Sequence, residues 1–173
     1  MNTIKLFGKL TIAALTLLFI SCSGDDNGGG GSSSGGFVKA KVDGANFSST
    51  SQFVVTVLGE GNLVLQGALA NGTSIAINVF AFDGTLETGT YNVGFSNNSE
   101  QYTGSLSYNV FSGTTATVYS SLGCDNGTGT VEITAIDADK VEGTFSFDGR
   151  EIEACSSTKS VTNGTFRGVF AAN

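Results

Sequence analysis

Cysteines and clustered carboxylates are the side chains of this sequence with the greatest capacity for chemistry, because the chain contains no histidine. Without an imidazole there is no Ser-His or Cys-His nucleophile pair, no histidine general base and no use of the commonest zinc ligand. The three cysteines are Cys22, Cys124 and Cys155. We therefore expect a non-catalytic domain that carries no metal ion and no other cofactor.

Carboxylates fall close together in two places. Asp137, Asp139 and Glu142 have a spacing that oxygen-ligated calcium can use, but the glycine and the further ligands of a calcium loop are missing. A solvated hairpin turn is the better interpretation. Glu151 and Glu153 are predicted to share one strand face, about 6–7 Å apart, which suits a hydrolase pair and equally an exposed acidic strand. We favour the exposed strand.

Cys22 follows the parts of an export signal. Lys5 and Lys9 precede an 11-residue apolar run from Leu10 to Ile20, and Ser21 stands directly before the cysteine. The run is too short to span a bilayer and is typical of a secretory signal peptide. A signal that ends on a small residue and a cysteine resembles the lipobox of bacterial lipoproteins, whose cysteine is lipidated and becomes the first mature residue. The alternative is an ordinary signal peptide with an incidental cysteine.

The resemblance implies that residues 1–21 are removed and that residues 22–36 form a lipidated cysteine and a Gly/Ser-rich tether. The tether has an expected r.m.s. reach of about 20 Å. The Ser-Gly-Asp-Asp that follows Cys22 resembles the acidic export signal of Bacteroidota lipoproteins sent to the outer face of the outer membrane; a solvated acidic linker is the alternative. The implied location is the outer membrane, exposed at the cell surface, with the periplasmic face as second choice.

Cys124 and Cys155 are predicted to form a disulfide. They are an even pair once Cys22 is assigned to lipid, and export places them in an oxidising compartment. Cys124 precedes a predicted strand at 129–137 and Cys155 follows one at 140–148, so a hairpin brings the outer ends of the two strands together. The bridge would close a loop of about 32 residues. Two free buried thiols are the alternative.

The mature chain is strongly acidic. Removal of the predicted signal peptide takes away Lys5 and Lys9. The remaining chain has six basic and fifteen acidic side chains, a net charge of −9. Such a surface repels phosphate backbones, so we expect no nucleic-acid partner. We expect the charge to keep an exposed domain soluble.

Residues 37–173 read as short strands separated by Gly and Asn turns, and no window in them has a helical period. This predicts an all-β domain, an antiparallel β-sandwich or up-and-down barrel of about ten short strands. Asn-Gly at 71, 126 and 163 is interpreted as type I′ turns, and the recurring Gly-Thr dipeptides as turn-then-strand chemistry. The predicted strands are 37–42, 53–58, 63–70, 74–83, 89–95, 104–111, 115–120, 129–137, 140–148 and 162–170.

Three segments carry a family resemblance, namely residues 37–47, 141–147 and 161–166. The first is similar to the opening strand and turn, and the other two to the closing hairpin, of a family of small, uncharacterised Bacteroidota lipoproteins. That family is a β-rich domain of unknown function. The resemblance therefore implies a fold and a location and supplies no catalytic residue.

These observations favour a lipid-anchored, non-catalytic β domain at the cell surface, acting in binding, adhesion or envelope organisation. Its partners are the membrane, through the lipid, and a protein or glycan that the sequence does not identify. One alternative is a carrier of a small apolar ligand in a barrel cavity lined by some of the 13 phenylalanines. A carboxylate-based hydrolase is the other alternative.

Overall fold

A computed structural model describes residues 35–49, 54–59, 61–94, 103–125 and 127–170. They belong to one compact unit, Ser33–Asn173. Cys22 and the acidic segment after it lie outside the described residues, so the lipobox and the export signal remain predictions. Within the described ranges the regular structure is β-strand, apart from one short 3-10 turn at Gly123–Asp125. The prediction of an all-β fold is confirmed.

The described residues form eleven strands, where about ten were predicted. The additional strand is β2, which follows a two-residue turn at Asp43-Gly44 whose φ angles are 48° and 84°. Periodicity missed it because only Phe47 of its four residues is buried. The strands are β1 (Phe37–Val42), β2 (Ala45–Ser48), β3 (Val54–Gly59), β4 (Asn62–Ala68), β5 (Ser74–Phe80), β6 (Gly89–Asn92), β7 (Gly104–Ser112), β8 (Thr115–Ser120), β9 (Thr128–Ile136), β10 (Lys140–Glu151) and β11 (Thr158–Val169).

The strands form one antiparallel sheet in the order β2-β1-β11-β10-β8-β7-β5-β4-β3, with β9 also on β10 and β6 on β9. Six of the ten pairings among the described strands join consecutive strands, as hairpins require; the other four are β1–β11, β5–β7, β6–β9 and β8–β10. Strand β10 pairs with β9 along 141–148 and with β8 at 150–151. It thus links two parts of the sheet.

The sheet is open and folds across itself, as in a β-sandwich or an incompletely closed barrel. β2 and β3 stand at the two ends of the pairing order. β1 and β4 pack face to face, because a Cβ added to Gly67 in β4 would lie 2.6 Å from Val38 Cβ. The core between the faces contains the alternating inward residues of most strands, including Val38, Leu65, Ile77 and Phe166.

Two Gly-Thr-Phe tripeptides meet across β10 and β11. Gly143 lies opposite Phe166, Thr144 opposite Thr165, and Phe145 opposite Gly164. Both phenylalanines and both glycines face the core. A Cβ on Gly143 would stand 2.6 Å from Phe166 Cζ, so each glycine makes room for the ring on the other strand. At these two positions the prediction of turn chemistry is wrong, because the dipeptides lie inside strands.

The Asn-Gly prediction also needs correction. Asn163 lies within β11 at a register shift and has a φ of 52°, so it occupies a β-bulge, where asparagine tolerates the left-handed conformation. At Asn71-Gly72 only the glycine has a positive φ, whereas a type I′ turn requires it at both residues. Residue 126 lies outside the described ranges.

Candidate functional site

The structure contains a disulfide between Cys124 and Cys155, with a Cα–Cα distance of 5.9 Å. The predicted pairing is confirmed. Strand β10 is longer than predicted and ends at Glu151, so Cys155 lies in the loop that returns to β11. The backbone carbonyl of Glu151 accepts a hydrogen bond from the backbone N–H of Cys155, at 3.1 Å, and its oxygen lies 3.3 Å from Cys124 Sγ.

The loop after β10 is further fixed by the Glu151 side chain. Its Oε2 accepts hydrogen bonds from the hydroxyls of Ser157, at 2.6 Å, and Ser156, at 3.2 Å. Glu153 lies in the turn beyond the strand and is exposed. The two glutamates therefore do not share a strand face, and that prediction is wrong because the strand stops at Glu151.

The carboxylates of Asp137 and Glu142 interact with different partners. Asp137 Oδ1 accepts the backbone N–H groups of Asp139 and Lys140, each at 2.9 Å, and these bonds lower the pKa of Asp137. Glu142 pairs with Arg167 on β11, and this hydrogen bond is the main cause of its lowered pKa. The segment is thus a capped hairpin turn. Among the described residues, no three His, Cys, Asp or Glu side chains are grouped to hold a metal ion.

The described strands and turns also form a surface cleft of about 340 Å³ beside the β1–β2 hairpin. We call it the hairpin cleft. Its apolar wall is contributed by four different parts of the chain, so it exists only in the folded domain. The apolar lining residues are Val42, Ala45, Phe47, Leu69 and Tyr108.

Aromatic rings support this cleft in a continuous row. Phe47 meets Tyr108 edge to face, with ring centroids 6.4 Å apart, and Tyr108 packs against Tyr119 at 6.3 Å. The two tyrosines are directly opposite each other across the β7–β8 hairpin. Burial raises the pKa of the Tyr108 hydroxyl above its usual value.

An ion pair borders the same cleft. Lys159 Nζ lies 2.7 Å from Asp43 Oδ2 and 5.8 Å from the centroid of the Tyr119 ring. Asp43 Oδ1 also accepts the backbone N–H of Ser160, at 3.0 Å. The hydrogen bond from Lys159, followed by that from Ser160, lowers the pKa of Asp43, and the same bond to Asp43 raises the pKa of Lys159.

These shifts predict a pH dependence of stability. A lowered aspartate pKa contributes stability above the unfolded value of about 3.9, which is lost as pH falls through the folded pKa. The raised lysine pKa contributes stability below the unfolded pKa of about 10.4. This stability is lost as pH rises through the pKa of the folded state. We expect Asp43→Asn to reduce the acid-side change in the free energy of unfolding, measured by urea denaturation between about pH 4 and pH 2. Asparagine also tolerates the left-handed φ at this position.

The contribution of the ion pair to the free energy of unfolding, which is lost on acidification, is expected to be less than about 1 kcal/mol because the pair is exposed. Asp139→Asn in the β9–β10 turn makes the same change in charge and is the matched control. Identical pH profiles for wild type and Asp43→Asn would contradict the assigned role of the pair.

Sequence reasoning did not single out the hairpin cleft. Tyr108 and Tyr119 fall in predicted strands joined by a short turn, so hairpin register was a signal that would have paired them. No local pattern joins Asp43 to Lys159, which are 116 residues apart. Their meeting depends on the β1–β11 pairing.

No helix in the described ranges is long and apolar enough to cross a membrane. Fold and site together define a disulfide-bonded, all-β domain with an aromatic surface cleft. The chain belongs to the family described as a domain of unknown function, DUF6252, whose sequence pattern matches residues 35–170. No curated protein and no solved structure matches the chain.

Proposed function

We propose that this protein is a lipid-anchored lipoprotein of the outer membrane whose β domain is a non-catalytic binding module. The observation that carries the proposal is the Cys124–Cys155 disulfide. Disulfides persist in oxidising compartments, so the bridge supports export. It also uses both cysteines of residues 37–173, which leaves Cys22 as the one cysteine available for another role.

The arrangement of carboxylates supports a non-catalytic role. Asp137, Glu142 and Glu151 each have separate hydrogen-bond partners, on a turn, on Arg167 and on the loop serines. Paired-carboxylate hydrolysis needs two such groups to face one substrate. The hairpin cleft combines an apolar wall with a few polar groups, which is the usual composition of a small-ligand site.

Lipidation of Cys22 would supply the membrane attachment. Each buried CH₂ contributes about 0.8 kcal/mol, and one acyl chain holds a protein only marginally. Two or three chains, as in mature bacterial lipoproteins, would hold this acidic domain stably without a membrane-spanning helix. The tether of residues 23–36 would let the domain stand away from the lipid surface.

We predict that Cys22→Ala abolishes membrane retention, because it removes the site of acylation. The measurement is fractionation of cells expressing the full chain, with a carbonate wash, and metabolic labelling with an alkyne fatty acid. Ser23→Ala, at the adjacent position, is the matched control and is expected to remain labelled and in the membrane fraction.

A Cys22→Ala protein that stays with washed membranes would overturn the lipoprotein assignment. Protease treatment of intact cells then distinguishes the two faces of the outer membrane. We expect the wild-type domain to be cleaved from the cell surface; full protection, with cleavage only after lysis, would place the domain on the periplasmic side.

A further inference from the structure

We infer that the hairpin cleft binds a neutral saccharide unit. This inference rests on the proposed binding function and names its ligand class. The cleft measures about 340 Å³, within the range of about 300–1,000 Å³ for small-molecule sites. Its lining combines aromatic and aliphatic side chains with the polar side chains of Asp43, Asn46 and Lys159, and a ligand must match both kinds of group.

The charges of the cleft oppose an ionic ligand. Lys159 and Asp43 are 2.7 Å apart and neutralise each other, and Lys159 also lies over the Tyr119 ring. An anion would have to compete with Asp43 for the ammonium group and approach a protein with an acidic net charge. A cation would have to approach Lys159. A neutral ligand meets neither cost.

The lining also opposes a purely apolar ligand. An acyl chain or similar molecule would cover the exposed polar atoms of Asp43 and Asn46 and offer them no hydrogen bond, which is unfavourable. The phenylalanines at 145, 147 and 166 are buried in the core and are not among the residues that line this cleft.

A sugar ring can satisfy both the apolar and the polar lining groups. Its C–H face is apolar and can pack on the Tyr108 ring, while its hydroxyls both donate and accept hydrogen bonds. The Asp43 carboxylate accepts, the Lys159 ammonium donates, and the Asn46 amide does both. Together they offer both the acceptors and the donors that a row of vicinal hydroxyls can use.

The polar and aromatic groups are held in place before a ligand arrives. Asp43 lies in the two-residue turn between β1 and β2 and is fixed by Lys159 and Ser160. Tyr108 is held between Phe47 and Tyr119 by ring contacts. Such preorganisation reduces the entropy lost by side chains on binding.

Binding can be tested on the full mature lipoprotein, purified in a detergent whose headgroup is not a sugar. The probes are maltohexaose, cellohexaose, xylohexaose and hexa-N-acetylchitohexaose, and the measurements are calorimetric titration and tyrosine fluorescence. Tyrosine emission is readable because the chain has no tryptophan. We expect saturable binding of at least one probe.

Variants then locate the site. Tyr108→Ala is expected to weaken binding roughly tenfold or more, and Tyr108→Phe, which keeps the ring, much less. Asp43→Asn should weaken binding without unfolding the domain, because asparagine accepts the backbone conformation of this turn. Tyr91→Phe is the matched control, because the hydroxyl that it removes forms hydrogen bonds with the backbone of Glu87, away from the cleft. Far-ultraviolet circular dichroism checks the fold of each variant.

Failure to bind any of the four saccharides would overturn the inference, as would saccharide binding unchanged in both Tyr108→Ala and Asp43→Asn. Tyr108-dependent binding of palmitate without saccharide binding would also overturn it, in favour of an apolar carrier. None of these results affects the anchoring part of the proposed function, which stands or falls on the fractionation of Cys22→Ala.

Discussion

Replacing Phe166 by alanine is expected to lower the free energy of unfolding by about 3–5 kcal/mol, the largest stability effect that we predict for a single core substitution. Phe166 is 1% exposed and is the largest of the fully buried side chains. Its ring occupies the space that Gly143 leaves open on the facing strand. Because the partner residue on β10 is a glycine, no side chain at that register position can move into the resulting cavity.

Urea denaturation of the purified mature protein measures this effect. Thr165→Ala is the matched control, because Thr165 is the adjacent residue of the same strand and points outward. We expect the control to lose no more than about 1 kcal/mol, the usual range for strand-surface substitutions. A Phe166→Ala loss below that of the control would show that the ring does not anchor the β10–β11 pair.

Removing the disulfide is expected to cost about 2–4 kcal/mol, because the bridge restricts the unfolded chain across a 31-residue separation. Cys124→Ser combined with Cys155→Ser avoids an unpaired reactive thiol. The all-β circular dichroism spectrum should persist, since neither cysteine belongs to the buried hydrophobic core. Urea denaturation of the double variant and wild type, both without reductant, gives the difference.

Thiol titration under denaturing, non-reducing conditions provides an independent check. With Cys22 acylated, the mature wild-type chain should contain no free thiol, and dithiothreitol should release two. Two titratable thiols before reduction would contradict the bridge. The free energy of unfolding of the wild type in dithiothreitol should equal that of the double variant. This comparison separates the effect of losing the disulfide bond from the effect of losing the sulfur atoms.

Local pattern was sufficient to predict most of the strands. In β10 the buried residues Val141, Phe145 and Phe147 alternate with exposed or partly exposed ones, and this period of two is visible in the sequence. The Cys124–Cys155 bridge was also predictable, because it spans one β9–β10 hairpin and the short segments on either side. Both results depend on neighbours in the chain.

Long-range pairing was not predictable in the same way. Strand β6 leaves the hairpin order to pair with β9, and β1 pairs with β11 near the other end of the chain. Gly143 and Gly164 carry the same dipeptide as several turns, yet lie inside strands because each faces a phenylalanine ring. The identity of a dipeptide does not indicate which side chain lies opposite it on the neighbouring strand.

The sequence by itself determined the strand-forming segments, the acidic surface and the disulfide pairing, because alternation, charge and hairpin proximity are local properties of the chain. Only the tertiary structure decided which residues form the hairpin cleft. Asp43 meets Lys159 through the β1–β11 pairing, and Phe47 meets Tyr108 across the core. The hairpin cleft exists because the sheet folds across itself and brings distant residues into contact.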